Sequence, residues 1–140
     1  MSVGVVIPAA GEGRRMGGRK KPFLVLRGEP ILLHSIRPFL AHPAVRAVRV
    51  ALAPEDALDP PDWLVRIDPR VSVVPGGATR AESVLAGLDA LGDVGIVLVH
   101  DAARPLVTGA IIDRCIAAAS EGTAAVAGWP ATDKIGRAHV

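Results

Sequence analysis

The sequence predicts a single α/β domain built on an open, mostly parallel sheet with helices on both faces. Three observations carry this prediction. The chain has 140 residues, half of them hydrophobic, which is enough for one domain with a sizeable core. Short apolar runs alternate with helical stretches, an order that indicates parallel pairing with right-handed crossovers. Three of the apolar runs also end in polar or glycine-rich segments, as at the ligand-binding edge of such sheets.

The first half of the chain contains two predicted strands and one helix. The first strand is predicted over Val3–Ile7, because an unbroken apolar run that ends at a proline is typical of a strand covered on both faces. A helix is expected over Ile31–Leu40, where Pro30 suits the start and Pro38 is expected to kink or end the helix. The second strand is predicted over Val45–Ala53.

The middle of the chain begins with a connection. Pro54–Pro69 is rich in Asp and Pro and predicts a surface segment with one short helix around Trp63. A brief third strand follows over Val71–Val74. Thr79 then opens a helix, because Thr79 and Glu82 fit the capping box, in which each side chain accepts a bond from the other residue's backbone N–H.

Apolar residues recur at helical spacing after Thr79 and predict a buried stripe, formed by Val84, Leu85, Leu88 and Leu91. The remaining predicted elements are a fourth strand, a helix and a fifth strand, over Gly95–Val99, Gly109–Ser120 and Thr123–Ala127.

Composition and charge exclude several classes of function. Lys and Arg number 16 and Asp and Glu 14, so a net charge of +2 argues against a general nucleic-acid surface. Aromatic residues make up only 3%, which leaves few platforms for base stacking. The lone Cys115 excludes an intramolecular disulfide and a cysteine-based metal cage. We see neither a membrane-length apolar run nor a secretory signal, so we expect a soluble, cytoplasmic protein that binds neither nucleic acid nor membrane.

A glycine-rich, basic segment follows the first predicted strand, from Gly11 to Lys21. Its closely spaced glycines allow backbone N–H groups to approach an anion, and its Arg and Lys side chains supply positive charge. The segment lacks the Gly-Lys-Ser/Thr ending of a Walker A loop, and Met16 stands where a dinucleotide fingerprint needs its third glycine. It therefore predicts a phosphate site of another kind, the alternative being a solvated basic turn.

Two further polar segments follow predicted strands. In Gly76–Ser83, Arg80 and Ser83 lie one turn apart near the positive end of a helix dipole, which suits contact with a ligand. The alternative is ordinary helix capping with Arg80 in solvent, which the segment taken alone slightly favours. In His100–Pro105, Asp101 is well placed to hold Mg²⁺ beside substrate phosphates. The alternative for Asp101 is an ion pair with Arg104 that shapes the turn. His100 is expected to be structural.

Together these segments resemble the 2-C-methyl-D-erythritol 4-phosphate cytidylyltransferase family. The resemblance runs from about Val3 to Asp133 and implies a Rossmann-like, sugar-nucleotidyltransferase-like fold. It is carried by four blocks in order: Pro8-Ala9-Ala10-Gly11-x-Gly13-x-Arg15-Met16 with Lys21-Pro22-Phe23-Leu24, Gly28-x-Pro30-Ile31-Leu32-x-His34-Ser35, Gly76-Gly77-x-x-Arg80-x-x-Ser83-Val84-x-x-Gly87-Leu88, and Val99-His100-Asp101-Ala102-Ala103-Arg104-Pro105.

The resemblance implies a CTP-dependent transferase. CMP passes from CTP to the phosphate of methylerythritol 4-phosphate and pyrophosphate leaves, a step of non-mevalonate isoprenoid synthesis. Such a reaction depends on positioning and charge neutralisation. By resemblance, Arg15 and Lys21 are catalytic and Asp101 binds Mg²⁺. The implied nucleotide-binding residues, of which Gly77, Arg80 and Ser83 lie on the cytidine side, are Pro8, Ala9, Ala10, Gly11, Gly13, Gly77, Arg80, Ser83 and Ala102.

This sequence departs from the family pattern at two positions near the implied site. Lys21 is preceded by Lys20, where the family usually has proline, so Lys20 is a rival for the catalytic lysine. Ala78 stands where many relatives carry an acidic residue, which leaves one base contact open.

Family members continue beyond the length of this chain. We therefore expect residues 1–133 to be a partial nucleotide-binding domain and residues 134–140 to be a non-native tail that resembles translated sequencing adapter. The resemblance implies a homodimer and further acceptor and metal ligands in the longer protein. Two alternatives stay open: a cytidylyltransferase acting on ribitol 5-phosphate or another polyol phosphate, and a catalytically silent nucleotide-binding fragment.

Overall fold

A computed structural model describes residues 2–10, 15–16 and 19–122, with side chains described over 2–10 and 22–122. Its strands are, in chain order, β1 Val3–Ala9, β2 Arg15–Met16, β3 Arg19–Lys20, β4 Val25–Leu26, β5 Glu29–Pro30, β6 Val45–Leu52, β7 Val71–Pro75 and β8 Ile96–Val99. Its helices are α1 Ile31–Leu40, α2 Pro54–Leu58, α3 Asp62–Arg66, α4 Arg80–Leu91 and α5 Gly109–Ser120, with a 3₁₀ turn over Lys21–Phe23. Within these ranges, no helix is long and apolar enough to cross a membrane.

Among the described residues, the central sheet has four parallel strands in the order β7-β6-β1-β8. β1 lies inside this sheet, with Val3 opposite Val45 on one side and opposite Ile96 on the other. Two small antiparallel pairs, β2-β3 and β4-β5, lie outside it. The predicted open parallel sheet is confirmed, and all its carboxyl ends point to one edge.

Helices cover both faces of the sheet, as predicted. On one face, Val5 and Ile7 of β1 pack in a core cluster with Ile36 of α1 and Ile112 of α5. On the other face, α4 lies against β1 and β6. The contact is close, because a Cβ added at Gly87 would overlap the side chain of Val6.

Local start signals place two of the long helices. α1 runs from Ile31 to Leu40 as predicted and continues through Pro38. At the start of α4, the Thr79 side chain accepts from the Glu82 N–H at 3.1 Å, and the Glu82 carboxylate accepts from the Thr79 N–H at 3.3 Å. The predicted capping box is therefore confirmed, and it fixes the position where α4 leaves the glycine loop.

The predicted apolar stripe of α4 is wrong for two leucines. Leu85 and Leu88 are 58% and 37% exposed. Leu91 is buried, as predicted, and the other buried residues of α4 are Ser83 and Gly87. The reason is steric: the helix lies so close to β1 that only small side chains fit along most of the contact.

The connection after β6 contains two short helices, where one was predicted. α3 includes Trp63, as expected, and α2 was missed. Pro54 at the helix start and two acidic residues in the first turn are start signals for α2. The predicted fifth strand, Thr123–Ala127, lies outside the described residues.

Arg70 links three elements at the amino edge of the sheet, opposite the predicted site. Its guanidinium donates to the backbone oxygens of Val45 at 3.1 Å and Leu40 at 2.8 Å. It also donates to the Asp68 carboxylate at 2.9 Å, and this bond holds the pKa of Asp68 down to about 2. The charged pair thus fixes the start of β7 against β6 and α1.

Replacement of Gly87 by alanine tests the close approach of α4. We expect Gly87→Ala to lower the free energy of unfolding by about 1–3 kcal/mol, because the new methyl group overlaps a stiff, fully buried valine. This loss should outweigh the better helix propensity of alanine. Equilibrium denaturation in urea measures the change.

Gly109→Ala is the matched control, because Gly109 begins α5. Apart from its chain neighbours and the backbone of its own helix, no heavy atom of the described residues lies within 4 Å of a Cβ added at Gly109. Its stability should stay unchanged or rise slightly. A Gly87→Ala protein as stable as the control would contradict the close packing of α4 on β1.

Candidate functional site

Segments that follow three strands of the sheet meet at its carboxyl edge. Gly76, after β7, donates its N–H to the Leu52 oxygen at 2.7 Å and lies so near the end of β1 that an added Cβ would be 2.5 Å from the Ala10 Cβ. Arg80, at the start of α4, reaches Asp101 beyond β8. The predicted clustering is confirmed for the segments after β7 and β8, while the side chains of the Gly11–Lys21 segment lie outside the described residues.

The glycine loop between β7 and α4 is held by two side chains from the first turn of α4. The Ser83 hydroxyl accepts from the Gly77 N–H at 3.1 Å, and the Glu82 carboxylate accepts from the Ala78 N–H at 2.7 Å. Ser83 is buried, so its hydroxyl supports the loop from beneath. Gly77 leaves no room for a side chain, because an added Cβ would overlap Glu82. The loop therefore presents mainly backbone to the edge of the sheet.

Asp101 is the centre of a charge cluster. Its Oδ1 accepts from Arg80 Nε at 3.1 Å and Nη2 at 3.0 Å, and its Oδ2 lies 3.2 Å from Arg104 Nε. The side chains of Arg80 and Arg104 are 62% and 77% exposed and that of Asp101 is 40% exposed. The cluster has one more positive than negative charge and is open to solvent, so it suits an anionic ligand.

Asp101 forms ion pairs with two arginines, one from its own loop and one from the start of α4. The predicted ion pair of Asp101 with Arg104 is present, and the pair with Arg80 is an addition that the sequence analysis missed. Arg80 is therefore neither an unpaired solvated side chain nor a simple part of the cap. Arg80 and Asp101 lie far apart in the chain, and no spacing rule links the start of a helix to the loop after another strand.

The loop after β8 is fixed by several bonds. The His100 N–H donates to the Val6 oxygen at 3.0 Å and extends the β1–β8 pairing by one residue. The His100 ring bonds the Arg104 oxygen at 2.8 Å and packs on Phe39, so His100 is structural, as predicted. These contacts hold the backbone on either side of Asp101.

Ser35 is a positioning residue that the sequence analysis missed. It is fully buried in α1, and its hydroxyl donates to the Ala102 oxygen at 2.7 Å. Ala102 itself is 4% exposed, so its side chain offers little surface to a ligand. The available signal was a serine on the apolar face of α1, next to Leu32 and Ile36.

The predicted catalytic residues are only partly placed. Arg15 lies in β2, opposite Lys20 of β3, and Lys21 begins the 3₁₀ turn. Their side chains lie outside the described part of the chain, as do Gly11 and Gly13. The choice between Lys20 and Lys21 therefore stays a prediction. Phe23 packs against the core cluster and anchors the end of the basic segment.

Pro8 and Ala9 end β1, opposite Ala51 and Leu52 of β6. Their backbone is thus part of the sheet, and Ala10 beyond them faces the glycine loop. The prediction that these three residues touch a nucleotide stays open, although they lie at the same edge as Asp101.

Asp101 fits a divalent cation of the Mg²⁺ kind as one ligand among several. Carboxylate oxygen is a donor that Mg²⁺ prefers, and this ion is often bound by one or two carboxylates together with substrate phosphates. The described residues contain no group of three or more His, Cys, Asp or Glu side chains able to hold a metal. Within the described residues, Asp101 would therefore hold the ion together with a bound phosphate compound or water.

The fold and the site define the class: a Rossmann-like α/β protein of the nucleotidyltransferase type, with backbone, arginines and a carboxylate at the ligand-binding edge. A family model for 2-C-methyl-D-erythritol 4-phosphate cytidylyltransferase matches residues 3–140. The chain belongs to this family.

Individual relatives agree with the family match. A Bacillus velezensis 2-C-methyl-D-erythritol 4-phosphate cytidylyltransferase is 39% identical over 138 residues, which is 96% of this chain and 60% of that protein. A Xanthomonas campestris protein of the same name is 48% identical over 122 residues, covering 82% of this chain and 45% of that protein. This chain thus spans 45–60% of the length of these two curated relatives.

Solved structures of the same family share the fold. The Thermus thermophilus enzyme superposes with a TM-score of 0.67 at 36% identity, over 87% of this chain and 52% of that one. A 4-diphosphocytidyl-2C-methyl-D-erythritol synthase from Anaerococcus prevotii gives a TM-score of 0.70 at 26% identity, over 84% and 50%.

Removal of the Ser35 hydroxyl tests its role in holding the Asp101 loop. We expect Ser35→Ala to lower the free energy of unfolding by about 1–3 kcal/mol, because the buried Ala102 carbonyl loses a hydrogen-bond donor. Urea denaturation measures the loss.

Ser120→Ala is the matched control, because the exposed Ser120 hydroxyl donates to the Ile116 oxygen within the same helix. It should change stability by less than about 0.5 kcal/mol. Equal effects of the two substitutions would contradict a special role for Ser35.

Proposed function

We propose that this protein transfers CMP from CTP to the phosphate of 2-C-methyl-D-erythritol 4-phosphate and releases pyrophosphate, a step of non-mevalonate isoprenoid synthesis. Membership of the family supports the proposal. The observation that carries it is the meeting of the glycine loop with Arg80, Asp101 and Arg104 at the carboxyl edge of the sheet. That arrangement suits a nucleoside triphosphate.

The chemistry asks mainly for positioning and positive charge. An oxygen of the acceptor phosphate attacks the α-phosphorus of CTP, the bond to the β-phosphate bridging oxygen breaks, and the electron pair leaves with pyrophosphate. Negative charge shifts toward the leaving group, so fixed cations lower the barrier. We assign this role to Arg15, the first residue of β2, and to Lys21, which directly follows β3.

The described residues have more specific roles in the proposal. The backbone at Pro8–Ala10 and Gly77 approaches the nucleotide closely, Arg80 acts on its cytidine side, and Arg104 attracts its phosphates. Ser83 acts on the cytidine side through the loop that it supports, and Ala102 places the backbone next to Asp101. Asp101 holds Mg²⁺, which when bound neutralises charge on the phosphates.

The proposal extends to the setting of the reaction. We propose a cytoplasmic enzyme that uses CTP and a phosphorylated polyol, binds neither nucleic acid nor membrane, and acts as a homodimer in its full-length form. The small net charge of +2 agrees with a small-molecule substrate.

Pyrophosphate release tests the proposed reaction. The 140-residue chain, and a form extended with the C-terminal part of the Bacillus velezensis relative, are incubated with CTP, Mg²⁺ and either methylerythritol 4-phosphate or ribitol 5-phosphate. We expect CTP binding by both forms in calorimetry and turnover of methylerythritol 4-phosphate by the extended form. Circular dichroism verifies that the extended form is folded.

Two results would contradict the proposal. Release only with ribitol 5-phosphate would make the protein a different cytidylyltransferase. A folded extended form that releases no pyrophosphate with either acceptor would refute the assigned reaction.

Substitution of the two proposed catalytic cations separates catalysis from binding. We expect Arg15→Ala and Lys21→Ala in the extended form to lower kcat by about 10²–10³-fold, the effect of removing one preorganised donor. The dissociation constant for CTP should change much less, because these cations act on charge that develops in the transition state.

Lys20→Ala is the internal control for the neighbouring lysine. A larger loss of kcat in Lys20→Ala than in Lys21→Ala would move the catalytic role to Lys20. Equal losses in kcat and in CTP affinity would mean that the cations contact only the ground state.

A further inference from the structure

Both carboxylate oxygens of Asp101 are occupied by arginines in the structure. Arg80 places two nitrogens on Oδ1, at 3.1 and 3.0 Å, while Arg104 Nε lies 3.2 Å from Oδ2. A divalent cation that binds Asp101 therefore competes with these nitrogens for the same two oxygens. We propose that Arg80 competes with the cation for Asp101 and that a bound nucleotide relieves this competition by drawing Arg80 away. The inference rests on the proposed function, since it takes a nucleoside triphosphate as the ligand.

The two partners differ in their freedom to move. Asp101 is held by the structure around it, through the His100 N–H bonded to Val6 and the Ala102 oxygen bonded to Ser35. Arg80 is 62% exposed, and its backbone is set by the capping box rather than by the ion pair. An exposed pair of this kind is weak and readily exchanged. The carboxylate therefore stays in place when Arg80 leaves.

Arg80 and Arg104 have different positions relative to Asp101. Arg104 belongs to the same short loop as Asp101, three residues further on, and its own backbone oxygen bonds His100. Arg80 comes from α4 and from the end of the glycine loop. Arg80 is thus the partner that joins the glycine loop to the carboxylate, so a ligand in that loop can act on Asp101 through it.

Charge makes the coupling cooperative. Two guanidinium groups beside one carboxylate repel a divalent cation, whereas a triphosphate in the same place reverses the sign of the local charge. Cation and nucleotide should therefore each increase the affinity for the other by the same factor. In this scheme Arg80 weakens cation binding when no nucleotide is bound. Arg80 thereby contributes to the coupling between cation binding and nucleotide binding.

Manganese binding tests the competition without any turnover. The 140-residue protein and its Arg80→Ala variant are titrated with Mn²⁺ in the absence of nucleotide, and the paramagnetic resonance signal of free Mn²⁺ reports binding. We expect Arg80→Ala to bind Mn²⁺ about three- to fivefold more tightly than the unsubstituted protein. Arg80→Lys, which keeps the charge and loses the fork, should fall between them.

Calorimetry measures the coupling to nucleotide. CTP is titrated into both proteins with Mn²⁺ and, separately, with a chelator. The coupling is the CTP dissociation constant measured with chelator divided by the constant measured with Mn²⁺. We expect this ratio to be smaller in Arg80→Ala than in the unsubstituted protein, because the variant has no arginine at position 80 to displace from Asp101.

Two control variants make the result specific. Arg114→Ala removes the same charge from α5, where Arg114 donates to the Ala110 oxygen of its own helix, and should leave Mn²⁺ affinity unchanged. Asp101→Asn should abolish the binding that Arg80→Ala strengthens. Circular dichroism compares the folded content of all variants.

Each other outcome overturns the inference. Equal Mn²⁺ affinity in Arg80→Ala and the unsubstituted protein, lost in Asp101→Asn, shows that Asp101 binds the cation without competition. An increase in Mn²⁺ affinity of similar size in Arg114→Ala would show that the effect of Arg80→Ala comes only from the change in net charge. Mn²⁺ binding that is insensitive to Asp101→Asn removes Asp101 as the ligand. Failure of the proposed function is recognised separately, by the absence of pyrophosphate release.

Discussion

β1 is hydrogen-bonded along both of its edges and covered on both of its faces, and this double constraint supports everything at the site. Its neighbours β6 and β8 run parallel to it, so the chain leaves all three strands at the same edge. α4 approaches β1 closely because Gly87 faces Val6. That approach sets where α4 begins, and hence where Arg80 stands relative to the loop after β8.

The scaffold and the charged groups are joined by few contacts. Ser35 and the β1–β8 pairing hold the loop that carries Asp101, while the capping box and Ser83 hold the glycine loop. The pair of Arg80 with Asp101 links the two loops directly through their side chains. A rigid frame with an exchangeable ion pair across it suits a site that must bind an anion and a cation together.

Much of the fold was predictable because its signals are local. Apolar-rich runs marked the four strands of the central sheet, and Thr79 with Glu82 marked the start of α4. The predicted family and fold were likewise confirmed. The stripe through Leu85 and Leu88 was wrong because periodicity identifies an apolar face but not how closely a helix approaches its sheet.

The charge cluster was only half predictable, for a related reason. The pair of Asp101 with Arg104 follows from spacing within one loop. The pair with Arg80 depends on how far α4 lies from β8, which packing decides and no local pattern encodes. Ser35 was hidden in the same way, since its partner Ala102 lies in a distant part of the chain.

The order of strands in the sheet has a consequence for synthesis on the ribosome. β1 is made first, but its partners start only at Val45 and Ile96, so neither edge can pair while the chain is short. Parallel pairing over such separations requires closure of long loops and is slow. An apolar strand therefore waits unpaired during translation, when chains of this kind are most prone to aggregate and most in need of a chaperone.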